Sequence, residues 1–276
     1  MSAIWESEEL LLAGETLPIR VYRPSFMPRP AALVLHLHGG TFACGDLDCS
    51  VAVCRIMAAA GAVVVSADYP LAPEHPFPAA LNVSYAALDL LFRQRVKWAG
   101  RGARLFVAGE EAGANIATAL TLMARDQHKP PVAGQVLLSP MLDPCLASKS
   151  VHQAQAGAVG CRWADGWQQY LGTPESAAHP YAAPIVSRRL GGLPPALILT
   201  SDECPLRDES LEYGRRLQAC GVEVESHVAS EVEDVIDASA EPPLDPHALP
   251  RWASDLIPLF ANFLAGSPAA ARSVQA

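Results

Sequence analysis

Strand-length apolar runs that alternate with longer helix-like stretches are the strongest constraint in this 276-residue chain. "AALVLHLHGG", "AVVVSADYP", "LFVAG", "GQVLLSP" and "PALILTS" are nearly continuous apolar runs. A strand that is apolar on both faces must be covered on both, which is the condition of a parallel sheet between two helix layers. The intervening stretches supply the helices. "SVAVCRIMAAAG" reads as a helix closed by Gly61 as its C′ glycine. "FPAALNVSYAALDLLFRQ" places Ala80, Val83, Ala87, Leu90 and Leu91 at helical spacing. Further helices are expected from Gly113, near 207–220 and over "RWASDLIPLFANFL", with another strand at "VEVESHV". The expected class is α/β, with a mostly parallel central sheet and helices on both faces.

The length suits one large domain, so 1–276 is read as a single unit. The stretch 141–192 interrupts the alternation and holds one helix candidate, "WADGWQQYL". It is expected over the C-terminal edge of the sheet, as a cap-side insertion where such folds bind ligands. The tail 266–276 is expected to be loose. With 20 basic and 29 acidic residues the formal charge is −9, and no Lys/Arg run is present. That argues against nucleic acid as a partner. No stretch approaches the ~18 apolar residues of a membrane span, and the acidic N-terminus carries no signal-peptide pattern. Seven cysteines (44, 49, 54, 145, 161, 204, 220) without a C-x-x-C pair point to reduced thiols and a cytoplasmic location. No tight His/Cys spacing marks a metal, and neither metal nor cofactor is expected.

Residues 107–115, "VAGEEAGAN", have the form of a nucleophile elbow, a sharp strand-to-helix turn written G-x-S-x-G. The frame is Gly109-Glu110-Glu111-Ala112-Gly113, so the central position holds Glu111. Together with "HLHGGTFACGDLD", "CRIMAAAGAVVVSADYPLAPEHPFPAAL", "YAAPIVSRRLGGLPPALILTSDECPLRDE" and "CGVEVESH", this stretch resembles the hormone-sensitive-lipase-type carboxylesterases of the α/β-hydrolase fold. The resemblance runs from about residue 15 to 265. It implies the α/β-hydrolase fold with a reduced N-terminal cap, since only some fifteen residues precede "LPIRVYRP".

The resemblance also implies a triad of serine, histidine and carboxylate. Its serine position falls on Glu111, its acid position on Cys204 and its histidine position on Asp234. Asp202 and His247 are the residues that a rewired triad would use instead, and Asp208 matches a family aspartate with a structural role. His227 is expected on the strand as a surface or packing residue. The implied oxyanion hole consists of backbone N–H groups of Gly39, Gly40 and Thr41 with Ala112 on the elbow. Thr41 stands where a third glycine is usual, and a β-branched residue resists positive φ, so the loop is expected to differ there. Glu111 is expected near Asp234, which would raise one of the two carboxyl pKa values.

A carboxylate is a weak acyl nucleophile, and losing a triad typically costs about 10⁶-fold in turnover. The leading expectation is therefore a non-catalytic small-molecule-binding pseudo-esterase, a pseudoenzyme for a carbonyl- or ester-containing ligand. Two alternatives stand beside it. One is a lyase, isomerase or cyclase that uses Glu111 as acid and base beside the oxyanion hole. The other is an esterase with a rewired active site. A homodimer through the "VEVESHV" edge is the expected assembly, with no membrane partner.

Overall fold

The computed structural model describes residues 5–25, 32–154, 159–229 and 253–266. An antiparallel hairpin opens it: β1 (Glu6–Leu12) pairs with β2 (Glu15–Tyr22), turning at Gly14 with φ 101°. The strands β3 (Leu33–Leu37), β4 (Val63–Ala67), β5 (Leu105–Glu110), β6 (Gly134–Leu138), β7 (Ala196–Ser201) and β8 (Val224–Ala229) follow. They form one eight-stranded sheet in the order β1-β2-β4-β3-β5-β6-β7-β8. Every pairing from β4 to β8 is parallel, and β2 is antiparallel to both of its neighbours.

Side chains alternate along each strand, so one sheet builds two cores. Leu33, Leu35 and Leu37 of β3, Val63 and Val65 of β4, and Leu105 and Val107 of β5 pack on one face. That face carries α2 (Ala79–Ala99), α3 (Glu111–Gln127) and α6 (Arg207–Ala219). Val34, Val64, Phe106 and Val136 point to the other face, against α1 (Val51–Ala59) and α7 (Ala253–Ala265). The continuous apolar strands therefore satisfy both helix layers. Gly61 lies just beyond α1 with φ 98°, as its expected role requires.

Among the described residues, the helices α4 (Lys149–Ala154) and α5 (Val159–Leu171) and two 3₁₀ turns lie between β6 and β7. The helix expected over "WADGWQQYL" is the last nine residues of α5. No helix among the described residues is long and apolar enough to cross a membrane. Asp234, His247 and the tail beyond 266 lie outside the described residues.

Candidate active site

The turn from β5 into α3 is tight because two glycines permit it. A Cβ on Gly109 would stand 2.4 Å from the carbonyl carbon of Gly113. A Cβ on Gly113 would stand 2.2 Å from the carbonyl oxygen of Leu37. The first turn of α3 thus lies directly on the end of β3, a closeness that only glycine allows. Glu111 takes the left-handed backbone of the turn, with φ 46°. For a residue other than glycine this is uncommon and is held by its surroundings. One such restraint is the N–H of Met141, which donates to the Glu111 carbonyl at 3.1 Å.

Strand alternation separates the two adjacent glutamates. Glu110 ends β5 on the α1 face, where its Oε1 accepts from Nε2 of the fully buried His36 at 3.1 Å. His36 Nδ1 lies 3.1 Å from Ser66 Oγ. Burial works against a charged ring here, but Cys54 and Glu110 outweigh it and push His36 up to about 10. With both ring nitrogens protonated, His36 donates in both directions and ties β3, β4 and β5 together beneath the elbow.

Glu111 turns the other way. It is buried, and its Oε2 accepts from the backbone N–H of Gly40 at 2.9 Å. The Ala112 N–H donates to the Gly40 carbonyl at 3.3 Å. Two of the expected oxyanion donors therefore already have partners within the chain. Gly39 offers its carbonyl to Nδ1 of His38 at 2.9 Å, and Thr41 Oγ1 lies 3.3 Å from Cys44 Sγ. The loop is folded on itself: a Cβ on Gly40, whose φ is 124°, would stand 2.2 Å from the Cys44 carbonyl oxygen. Positive φ falls on Gly40, Phe42 and Gly45, so Phe42, rather than Thr41, carries the strain expected of this loop.

Aromatic contacts hold Phe42 in that conformation. Its ring stacks on Tyr170 of α5 at 3.9 Å and meets Trp167 at 4.9 Å. Gly166 lets α5 approach so closely that a Cβ there would stand 2.2 Å from the Thr41 carbonyl oxygen. From the other side, buried His38 stacks on Tyr69, whose hydroxyl donates to the His38 carbonyl at 2.9 Å. Burial lowers the pKa of His38, which keeps its ring neutral.

Cys204 lies half-buried after β7. Its thiol donates to Ser139 Oγ at 3.1 Å, and Ser139 Oγ is 3.1 Å from Thr200 Oγ1. Burial pushes the thiol up, the nearby Glu111 charge adds to this, and the group stays protonated. Cys204 is therefore a small hydrogen-bonded thiol here, with no negative charge to orient an imidazole. Asp202 is exposed, with its N–H on the Ala229 carbonyl at 3.0 Å. Asp208 accepts from the Ser150 N–H at 2.9 Å and pairs with Arg207, which joins α6 to α4. His227 lies exposed on β8 against Glu225 Oε1 at 2.8 Å. Among the described residues no group of three or more His, Cys, Asp or Glu side chains is placed to hold a metal.

Two contributors to the site were not anticipated from the sequence. Asn115, one turn into α3, donates through Nδ2 to the carbonyls of Met141 and Ala182 at 2.8 and 3.2 Å. Glu209, buried on α6, accepts from the N–H groups of Leu142 and Asp143 at 3.2 and 3.1 Å. Burial pushes its carboxyl up to about 8. Between them they fix the 141–143 loop beside the elbow. The quoted segments "GEEAGAN" and "PLRDE" contain both residues, but nothing in either segment names the loop they meet.

A family model described as the alpha/beta hydrolase fold matches residues 34–235. Esterase LipI of Mycobacterium tuberculosis is 38% identical over 237 residues, which is 80% of this chain and 72% of that protein. An arylesterase of Saccharolobus solfataricus is 31% identical over 226 residues, 78% of this chain and 71% of its own. Among solved structures, the hyperthermophilic esterase from Pyrobaculum calidifontis superposes with a TM-score of 0.81. It is 31% identical and covers 95% of this chain and 85% of its own. These relatives, named as esterases, overturn the expectation of a non-catalytic pseudo-esterase and with it the label pseudoenzyme. That expectation rested chiefly on the three substituted triad positions, Glu111, Cys204 and Asp234. It also weighed Glu111 as an acid and base beside the oxyanion hole, but only for non-hydrolytic chemistry. The eight-stranded sheet, the glycine-framed elbow and the matched residues together place this chain in the α/β-hydrolase-fold family.

Proposed function

We propose that the chain hydrolyses small carboxylic esters with Glu111 in the role of general base toward water. The observation that carries this reading is the bond between Gly40 N–H and Glu111 Oε2, at 2.9 Å. It orients a carboxylate beside the loop expected to receive the ester carbonyl. An ionised carboxylate has about four acceptor positions, so it can take a water proton while keeping that bond. Water then adds to the acyl carbon as Glu111 accepts its proton. The tetrahedral oxyanion falls to the N–H groups of Gly39 and Thr41 in the same loop, since those of Gly40 and Ala112 stay engaged within the chain. Its collapse expels the alcohol, which regains the proton from Glu111, and leaves the carboxylic acid. No acyl-enzyme forms, so the reaction needs no serine at the elbow.

The reading includes a small ester-containing substrate and a cytoplasmic location, supported by the free thiols of the described cysteines. A homodimer through the open edge of β8 belongs to it as well. General-base catalysis typically contributes about 10²–10⁴-fold, well below a full triad. Hydrolysis of p-nitrophenyl acetate by purified protein is the test. Glu111→Gln, which removes the base and keeps the shape, is expected to return the rate to that of buffer. Equal rates for the two proteins would remove Glu111 from the mechanism. Absence of turnover on any acyl ester would remove the ester reading itself.

A further inference from the structure

The far end of α3, about 20 Å along its axis from Glu111 at 1.5 Å per residue, faces a second concave region. The segment 185–191 wraps this end and is clamped by two arginines. Arg216 of α6 donates to the carbonyls of Ile185 and Ser187. Arg125, in the last turn of α3, donates to the carbonyls of Arg189 and Gly191. The backbone that presents Arg188 and Arg189 is therefore held at four carbonyls, while both side chains stay exposed.

The two arginines line a cavity of about 250 Å³ with Arg125, Leu122, Val186 and Tyr181. A groove of about 410 Å³ continues it past Leu190 and Gly191, edged by the same three arginines. Among the described residues Asp126 is the one carboxylate on the wall. It is paired with Arg125 at 2.8 Å and accepts from Tyr181 at 2.7 Å. Three guanidinium groups against one carboxylate leave a local charge of about +2 on a chain whose net charge is −9. Among the described residues Arg125 and Arg216 make the clamps, so the charges of Arg188 and Arg189 are not needed to hold the segment.

Guanidinium forks match the oxygens of a phosphate two at a time. A preformed backbone also reduces the ordering cost of engaging them. We infer that this cleft binds a small phosphate monoester, with its dianion on Arg188 and Arg189 and its apolar part against Val186 and Tyr181. The site shares no residue with the elbow, so it stands whether or not Glu111 supports ester hydrolysis.

Calorimetric titration of the whole protein with phenyl phosphate, and separately with inorganic phosphate, tests the inference. Phenyl phosphate is expected to bind in the submillimolar range at low salt, about tenfold tighter than inorganic phosphate, and to weaken as salt rises. The double substitution Arg188→Ala with Arg189→Ala is expected to weaken phenyl phosphate by about tenfold or more while leaving thermal stability unchanged. Arg101→Ala, an exposed cation elsewhere, is expected to leave affinity unchanged. No measurable binding of phenyl phosphate overturns the site, as does equal affinity in the double variant or equal weakening by Arg101→Ala.

Discussion

Replacing Glu110 by glutamine removes the negative member of the buried pair beneath the elbow while keeping a hydrogen-bond acceptor of nearly the same shape. His36 is wholly buried, and its ring stands at about 10 rather than the ordinary 6.5. At about 1.4 kcal/mol per pH unit, that rise corresponds to a ceiling of about 5 kcal/mol. Burial opposes the charge and Cys54 shares in holding it. Of the two groups that hold it, Cys54 is the larger contributor and Glu110 the smaller. Breaking a buried pair costs about 3–5 kcal/mol, and because glutamine keeps the hydrogen bond a loss of about 2 kcal/mol is expected. The folded-state pKa lies above the unfolded one. The stabilisation is therefore complete below about pH 6.5 and is lost as pH rises through about 10. The deficit of Glu110→Gln should be largest near pH 6 and fall below about 1 kcal/mol near pH 10. Urea unfolding of both proteins at the two pH values measures it, and equal m values assign the difference to stability. A deficit of the same size at both pH values, or one under about 0.5 kcal/mol near pH 6, would refute the ion pair as the anchor of the elbow.

Gly113→Ala places a methyl group 2.2 Å from the Leu37 carbonyl oxygen and 2.3 Å from that of His38. Neither neighbour is a side chain able to rotate away, so a loss of about 3 kcal/mol is expected; a wild-type melting temperature would show that α3 moves off β3 freely. Glu209 titrates in the fold near 8 instead of 4.5, so its contribution is complete below about pH 4.5 and lost as pH rises through about 8. Glu209→Gln cannot ionise, and its stability should fall less than wild type between about pH 5 and pH 9; parallel pH curves would contradict that account.

What was legible in the sequence was whatever one strand or one turn decides by itself. Val34, Val64 and Val136 belong to runs that are apolar on both faces, so strands covered twice follow from the residues alone. The hairpin strand Glu6–Leu12 hides because "ESEELLL" lies mostly exposed and buries only Leu10, leaving no apolar pattern to read. The elbow frame is visible since Gly109 and Gly113 are sterically obligatory. The group that its central carboxylate meets is not visible, because Gly40 lies 71 residues earlier. The Glu209 clamp spans 67 residues and is equally silent. In the 39–45 loop, a rule about β-branched residues singled out Thr41, whereas packing against Trp167 and Tyr170 moves the strained backbone to Phe42.

The carboxylate lodged on the Gly40 amide also sets terms for anything that enters. An anion tethered by its own chain competes at an effective concentration of millimolar or more, which few dissolved carboxylates match. Under the proposed reading, a neutral ester meets this resident as a base, whereas the acid released from it meets a like charge already in place. On that reading the discharge of an anionic product is favoured by Glu111 itself, and accumulated acid should inhibit the protein only weakly.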